Sequence, residues 1–143
     1  MAEIIVVDNF YKNPMSVRDL ALKAEYLKPM EHSPYYYGVE SRYFFYNDQI
    51  IKIFEELVRS KIVINPEEYA FGRFRSMNVT HKVERQIHFD YSEWSAIVYL
   101  SLDDHCHGGT TFFRHKETNL DGAPSESELK KLALKALKSL VKK

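Results

Sequence analysis

Gln86-Ile87-His88-Phe89-Asp90 leads, through Tyr91-Ser92-Glu93-Trp94, into the apolar run Ser95-Ala96-Ile97-Val98-Tyr99-Leu100, and Gly108-Gly109-Thr110-Thr111-Phe112-Phe113 follows beyond Asp103-Asp104. Each of these runs is short, rich in β-branched and aromatic residues, and bounded by turn formers, which predicts strands over Arg85–Asp90, Ser95–Ser101 and Thr110–His115. A fourth is expected upstream. From Tyr69 to Val79, residues Tyr69, Phe71, Arg73, Arg75, Met77 and Val79 alternate with Ala70, Gly72, Phe74, Ser76 and Asn78, the period of two of a sheet strand. In a strand, side chains two apart share a face and sit roughly 7 Å apart. An imidazole at His88 and a carboxylate at Asp90 are thereby aimed at one point. That is the ligand chemistry of an iron site, in which two histidines and one carboxylate bind one face of the ion and leave the rest open.

Outward from this stretch the periodicity becomes helical. Ile4-Ile5-Val6-Val7 reads as a short strand, after which Asn13-Pro14 supplies an N-cap and a proline in the first turn. Val17, Leu20, Ala21 and Ala24 then predict a helix from Pro14 to about Tyr26. A loop with Tyr35-Tyr36-Tyr37 and Gly38 precedes a second helix, starting near Asn47 or Asp48 with Ile50, Ile51, Phe54, Leu57 and Val58 on one stripe. At the other end, Ser125 and Glu128 have the spacing of a capping box. Leu129, Leu132, Ala133, Ala136, Leu137, Leu140 and Val141 follow on one face, with Lys130, Lys131, Lys135, Lys138 and Lys142 on the others. Helices first and strands later predict an α+β domain whose sheet carries the function. It is read as one domain over 1–143, with a helical part (1–68), a β core (69–118) and an amphipathic helix (124–143).

Composition narrows the function classes. Twenty basic and twenty acidic residues cancel, so there is no broad cationic field to hold nucleic acid. The single cysteine, Cys106, excludes an internal disulfide framework and fits a reducing cytoplasm. No apolar run is long enough for a membrane span. The lysine-flanked terminal helix is expected to pack on the domain or on a second copy of the chain, with docking on a membrane surface or a protein partner as the alternative.

The succession of H-x-D, an apolar strand ending Tyr99-Leu100, an acidic loop and Gly108-Gly109-Thr110-Thr111-Phe112-Phe113 resembles the core of the iron(II)/2-oxoglutarate-dependent oxygenases, in particular the prolyl-hydroxylase-like branch and its small bacterial and phage relatives. Val7–Pro14 and Tyr37-Gly38-Val39-Glu40-Ser41 resemble that group too, so the likeness runs from residue 4 to about 119 and is strongest over 74–118. It implies a double-stranded β-helix (jelly-roll) core, here incomplete, and hydroxylation of a substrate C–H bond with Fe(II), 2-oxoglutarate and O2. The substrate class it implies is a prolyl or other peptidyl side chain or a small molecule. His88 and Asp90 would be metal ligands, and Asn78, Tyr99 and Thr110 polar groups around the co-substrate.

Members of the family place a further histidine and a basic residue on a later strand. No histidine follows Asn119 here, which implies a piece of a longer oxygenase or a rebuilt site. The strand Thr110–His115 should return to the Asp90 end, and its alternation turns only one of its last two residues inward. With Thr110 and Phe112 facing in, Arg114 clamps the 2-oxoglutarate carboxylate. In the opposite register His115 is the third metal ligand. His105-Cys106-His107 belongs to a loop at the far end, and His32 and His81 read as surface residues. The rival function is a catalytically inactive relative used for binding or interaction.

Overall fold

A computed structural model describes residues 3–28, 38–77, 87–90, 92–106 and 109–141, with side chains of the last helix described through residue 133. The chain separates into two compact units. One comprises Met1–Ile4, Gln86–Ala96 and His107–Lys143; the other comprises Ile5–Arg85 and Ile97–Cys106.

The larger unit begins with helix α1, Pro14–Lys23. Asn13 caps it as its sequence requires: the Asn13 side chain accepts from the Ser16 backbone N–H at 3.1 Å, and Pro14 occupies the first turn, where no N–H is needed. The helix stops three residues before Tyr26, whose backbone instead bridges to Ser41. Strand β1, Val39–Glu40, pairs antiparallel with β2, Arg75–Ser76, in the register Val39 to Ser76 and Glu40 to Arg75. Between them lies helix α2, Asp48–Val58, again capped by an asparagine, Asn47, which accepts from Ile50 N–H at 3.0 Å. Its stripe of Ile50, Ile51, Phe54, Leu57 and Val58 is half-buried.

Aromatic rings fill the space against that stripe. Phe10 meets Phe54 at 5.2 Å between centroids, Phe54 meets Phe71 at 5.8 Å, and Phe71 meets Tyr46 edge-on at 5.2 Å. Beside them Ser41, wholly buried, donates to the Tyr43 carbonyl at 2.8 Å and accepts from the Phe74 N–H at 3.0 Å. Arg73 donates to the carbonyls of Ser41 and Arg42 and covers the Phe44 ring at 4.2 Å. Gly72 adopts φ +74°, which L side chains avoid, and its carbonyl accepts from Phe45 N–H at 2.8 Å. A Cβ at Gly72 would come within 2.6 Å of Tyr46 Cδ1.

The smaller unit ends in helix α3, Glu126–Val141. Its start is the reciprocal pair expected of a capping box: Ser125 N–H donates to Glu128 Oε2 at 2.8 Å, and Glu128 N–H donates to Ser125 Oγ at 3.3 Å. The Ser125 hydroxyl also donates to Glu128 Oε2 at 2.6 Å, and this bond first, then the one from the Ser125 N–H, holds the Glu128 carboxyl below its ordinary pKa. Among the described residues no helix is long and apolar enough to cross a membrane.

The expected jelly-roll core is overturned. Among the described residues the only ladder is the two-stranded β1–β2 sheet; the segments read as core strands, 87–90, 95–101 and 110–115, carry no strand hydrogen bonding, and neither does the short strand expected at 4–7. The physical reason is that alternation records an extended backbone, whereas a strand exists only where a second strand accepts and donates its hydrogen bonds. Ile97 and Phe112 show the result, being 64% and 66% exposed where a sandwich core would have covered them. Among the described residues of the expected strand 69–79 only Arg75–Ser76 is in a ladder, and its partner lies in a segment read as loop.

Candidate metal-binding pair

His88 and Asp90 lie in the smaller unit on a stretch without helix or ladder bonding, with one residue between them. His88 Nε2 is 3.8 Å from Asp90 Oδ1, and both side chains are open to solvent. The other carboxylate oxygen is taken: Ser95 Oγ donates to Asp90 Oδ2 at 2.5 Å, and Ser92 Oγ lies 3.2 Å from Ser95 Oγ. A hydroxyl carries one proton, and an ionised carboxylate can only accept. Ser95 therefore donates a hydrogen bond to Asp90 and accepts one from Ser92. The order Ser92–Ser95–Asp90–His88 is not that of a serine nucleophile, whose hydroxyl must hand its proton to an imidazole rather than to the carboxylate.

The pair does fit a cation. Two donors at right angles around an ion with bonds of about 2.1 Å stand about 3.0 Å apart, so a closure of about 0.8 Å makes His88 and Asp90 neighbouring ligands. An imidazole and a carboxylate together suit iron(II) or manganese(II). Among the described residues no group of three or more His, Cys, Asp or Glu is arranged to hold one ion, so the pair would supply two of the three ligands expected.

The remaining expected site residues are distributed otherwise. Residues 115–120 form a turn, with His115 N–H donating to the Leu120 carbonyl and Asn119 N–H to that of His115, both at 2.8 Å, and Asn119 at φ +59°. His115 Nδ1 is 2.9 Å from Thr118 Oγ1, inside this turn. Arg114 Nη2 pairs with Asp121 Oδ2 at 3.0 Å across the mouth of the turn. Thr110 is exposed. Tyr99 belongs to the larger unit, where it lines an open recess of about 260 Å³ with Arg18, Leu100 and Ser101 at the start of α1. Arg18 is anchored there by donating to the Leu100 carbonyl at 3.1 Å. His105 lies 3.8 Å from Asp104 in a single 3-10 turn, Asp103–His105, and Cys106 is exposed. Asn78, His32, His81, His107 and Tyr35–Tyr37 lie outside the described residues. Ser92 and Ser95 are the residues that sequence reasoning missed. Their signal was present: two hydroxyls three apart, immediately after an H-x-D, in a segment read as turn and strand.

Residues 1–139 match the model of a family described as Family of unknown function (DUF6445). The chain belongs to this family. No curated protein and no solved structure matches it. The DUF6445 description names no activity, cofactor or substrate.

Proposed function

We propose that this DUF6445 chain is an iron(II)/2-oxoglutarate-dependent oxygenase that hydroxylates a C–H bond of a peptidyl or small-molecule substrate. The observation that carries the reading is the convergence of His88 Nε2 and Asp90 Oδ1 to 3.8 Å within an H-x-D motif. The metal, 2-oxoglutarate and O2, when bound, supply the oxidising chemistry. His88 offers a nitrogen lone pair when neutral, and Asp90 offers a negative oxygen that offsets part of the cation's charge. Arg114 is the proposed partner of a co-substrate carboxylate, and its exposed pairing with Asp121 is worth about 0–1 kcal/mol, so exchange of one carboxylate for another is cheap. The cytoplasm is the proposed compartment, on the single cysteine, and a second copy of the chain is the proposed partner of α3.

Two side-chain ligands without a third give modest, pH-dependent affinity. The expected behaviour of this 143-residue chain is thus weak Mn(II) or Fe(II) binding and slow formation of succinate from 2-oxoglutarate under O2. Both are lost in His88→Ala and in Asp90→Ala. Metal binding that neither substitution alters would remove the assignment. Metal binding without any succinate supports instead a binding module that holds a cation but performs no oxidation, the reading favoured by the lack of a three-ligand group among the described residues.

A further inference from the structure

The two oxygens of Asp90 have different surroundings. Oδ1 faces the His88 imidazole at 3.8 Å, while Oδ2 accepts the Ser95 hydroxyl at 2.5 Å, and that hydroxyl in turn accepts from Ser92 at 3.2 Å. A carboxylate free to rotate can present both oxygens to a cation and chelate it. One whose second oxygen is held by a donor presents only the first. We infer that Ser95 is a positioning residue that makes Asp90 a one-oxygen ligand, with Ser92 holding the Ser95 hydroxyl in the donating orientation. This rests on the reading of His88 and Asp90 as metal ligands.

The consequence is selectivity as well as affinity. Ca(II) accepts two-oxygen carboxylate binding and six to eight ligands, whereas an iron- or manganese-type ion takes a compact octahedral set in which a chelating carboxylate strains the angles. Hydrogen-bond partners of metal ligands typically change affinity by roughly 10–100-fold when removed. Ser95→Ala frees Oδ2; Ser95→Thr keeps the hydroxyl in place. Neither changes a buried contact, because Ser95 is exposed.

The test is Mn(II) titration of the full chain, followed by calorimetry and by the electron paramagnetic resonance of bound Mn(II), with Ca(II) as competitor. Ser95→Ala is expected to lower Mn(II) affinity about tenfold or more and to raise the effectiveness of Ca(II) as a competitor. Ser95→Thr should bind like the wild type, and the metal-free proteins should melt alike. If Ser95→Ala binds Mn(II) as the wild type does while His88→Ala and Asp90→Ala lose it, the positioning role is wrong and the ligand assignment stands. Equal losses in Ser95→Ala and Ser95→Thr also overturn it, since the hydroxyl would not then be the cause. A wild-type chain that binds no Mn(II), or whose binding ignores His88→Ala and Asp90→Ala, overturns the ligand assignment and this inference together.

Discussion

Replacing Gly72 by alanine probes the joint on which the larger unit is built. Two penalties add. The backbone at φ +74° costs an L-residue about 1–2 kcal/mol, which glycine escapes. The new methyl also falls 2.6 Å from Tyr46 Cδ1 and 3.2 Å from Tyr46 Cβ, and so something must move. The ring is held by Phe71 at 5.2 Å and Phe44 at 6.4 Å, contacts worth about 0.5–1.5 kcal/mol each, and the backbone of Gly72 is tied to Phe45. Overpacking of this kind typically costs about 1–3 kcal/mol, of which 1–2 is a reasonable share for a half-exposed ring, giving about 2–4 kcal/mol in all. With unfolding entropy near 2.1 cal/mol/K per residue, the melting temperature should fall by roughly 7–13 °C. The assay is thermal and urea unfolding of wild type, Gly72→Ala, Tyr46→Ala and the double variant. In the double variant the steric part disappears and the backbone part remains, so the two substitutions should couple by about 1–2 kcal/mol. A Gly72→Ala protein melting within about 2 °C of wild type would refute the strained turn. Strict additivity in the cycle would leave the turn but refute the clash with Tyr46.

Ser41→Ala removes a buried hydroxyl that serves two backbone groups and leaves the Phe74 N–H without its acceptor, so a loss of about 1–3 kcal/mol in urea unfolding is expected; a change below about 0.5 kcal/mol would show that water takes over both bonds. Glu55 has a pKa below its ordinary value of 4.5, first because Lys61 donates to it at 2.9 Å and then because the Ile62 N–H does at 3.2 Å. A depressed folded-state pKa means stability that is present above the unfolded value and lost as pH falls through the folded one. Glu55→Gln should therefore flatten the decline in urea midpoint as pH falls below 4.5, and the same acid decline in both proteins would exclude this carboxylate as a contributor.

Helix starts were legible because their causes are local. Asn13, Asn47 and the Ser125–Glu128 pair each satisfy N–H groups three residues away, so a short window contains the whole interaction. The end of α1 was less so: Ala24 and Tyr26 fit the helical period, but the Tyr26 backbone is claimed by Ser41, which no window around the helix includes. Strands suffered most from this. The period of two around Arg75 was real, yet its partner Val39–Glu40 follows a tyrosine-rich stretch that reads as loop, and the alternating runs at 95–101 and 110–115 have no ladder. The approach of His88 to Asp90 does not depend on a ladder, because a single residue separates them in the chain. Arg114 and His115 did not share that protection. Their placement was expected from a strand continuing to residue 115, whereas Arg114 pairs with Asp121 and His115 opens a turn.

That turn leaves a practical opening. Arg114 and Asp121 are held together across its mouth, and the backbone bonds between His115, Asn119 and Leu120 close it from within. Entry and exit are thus side by side, and whatever lies between them need not alter the path of the chain into α3. Lengthening such a loop carries an entropic penalty that grows only with the logarithm of its length, about 0.6 kcal/mol for each doubling. Lys116 and Glu117 are solvent-facing at its tip. An epitope or a lanthanide-binding peptide spliced between them would be a local graft, giving a reporter on the smaller unit that leaves His88, Asp90 and their serines as they are.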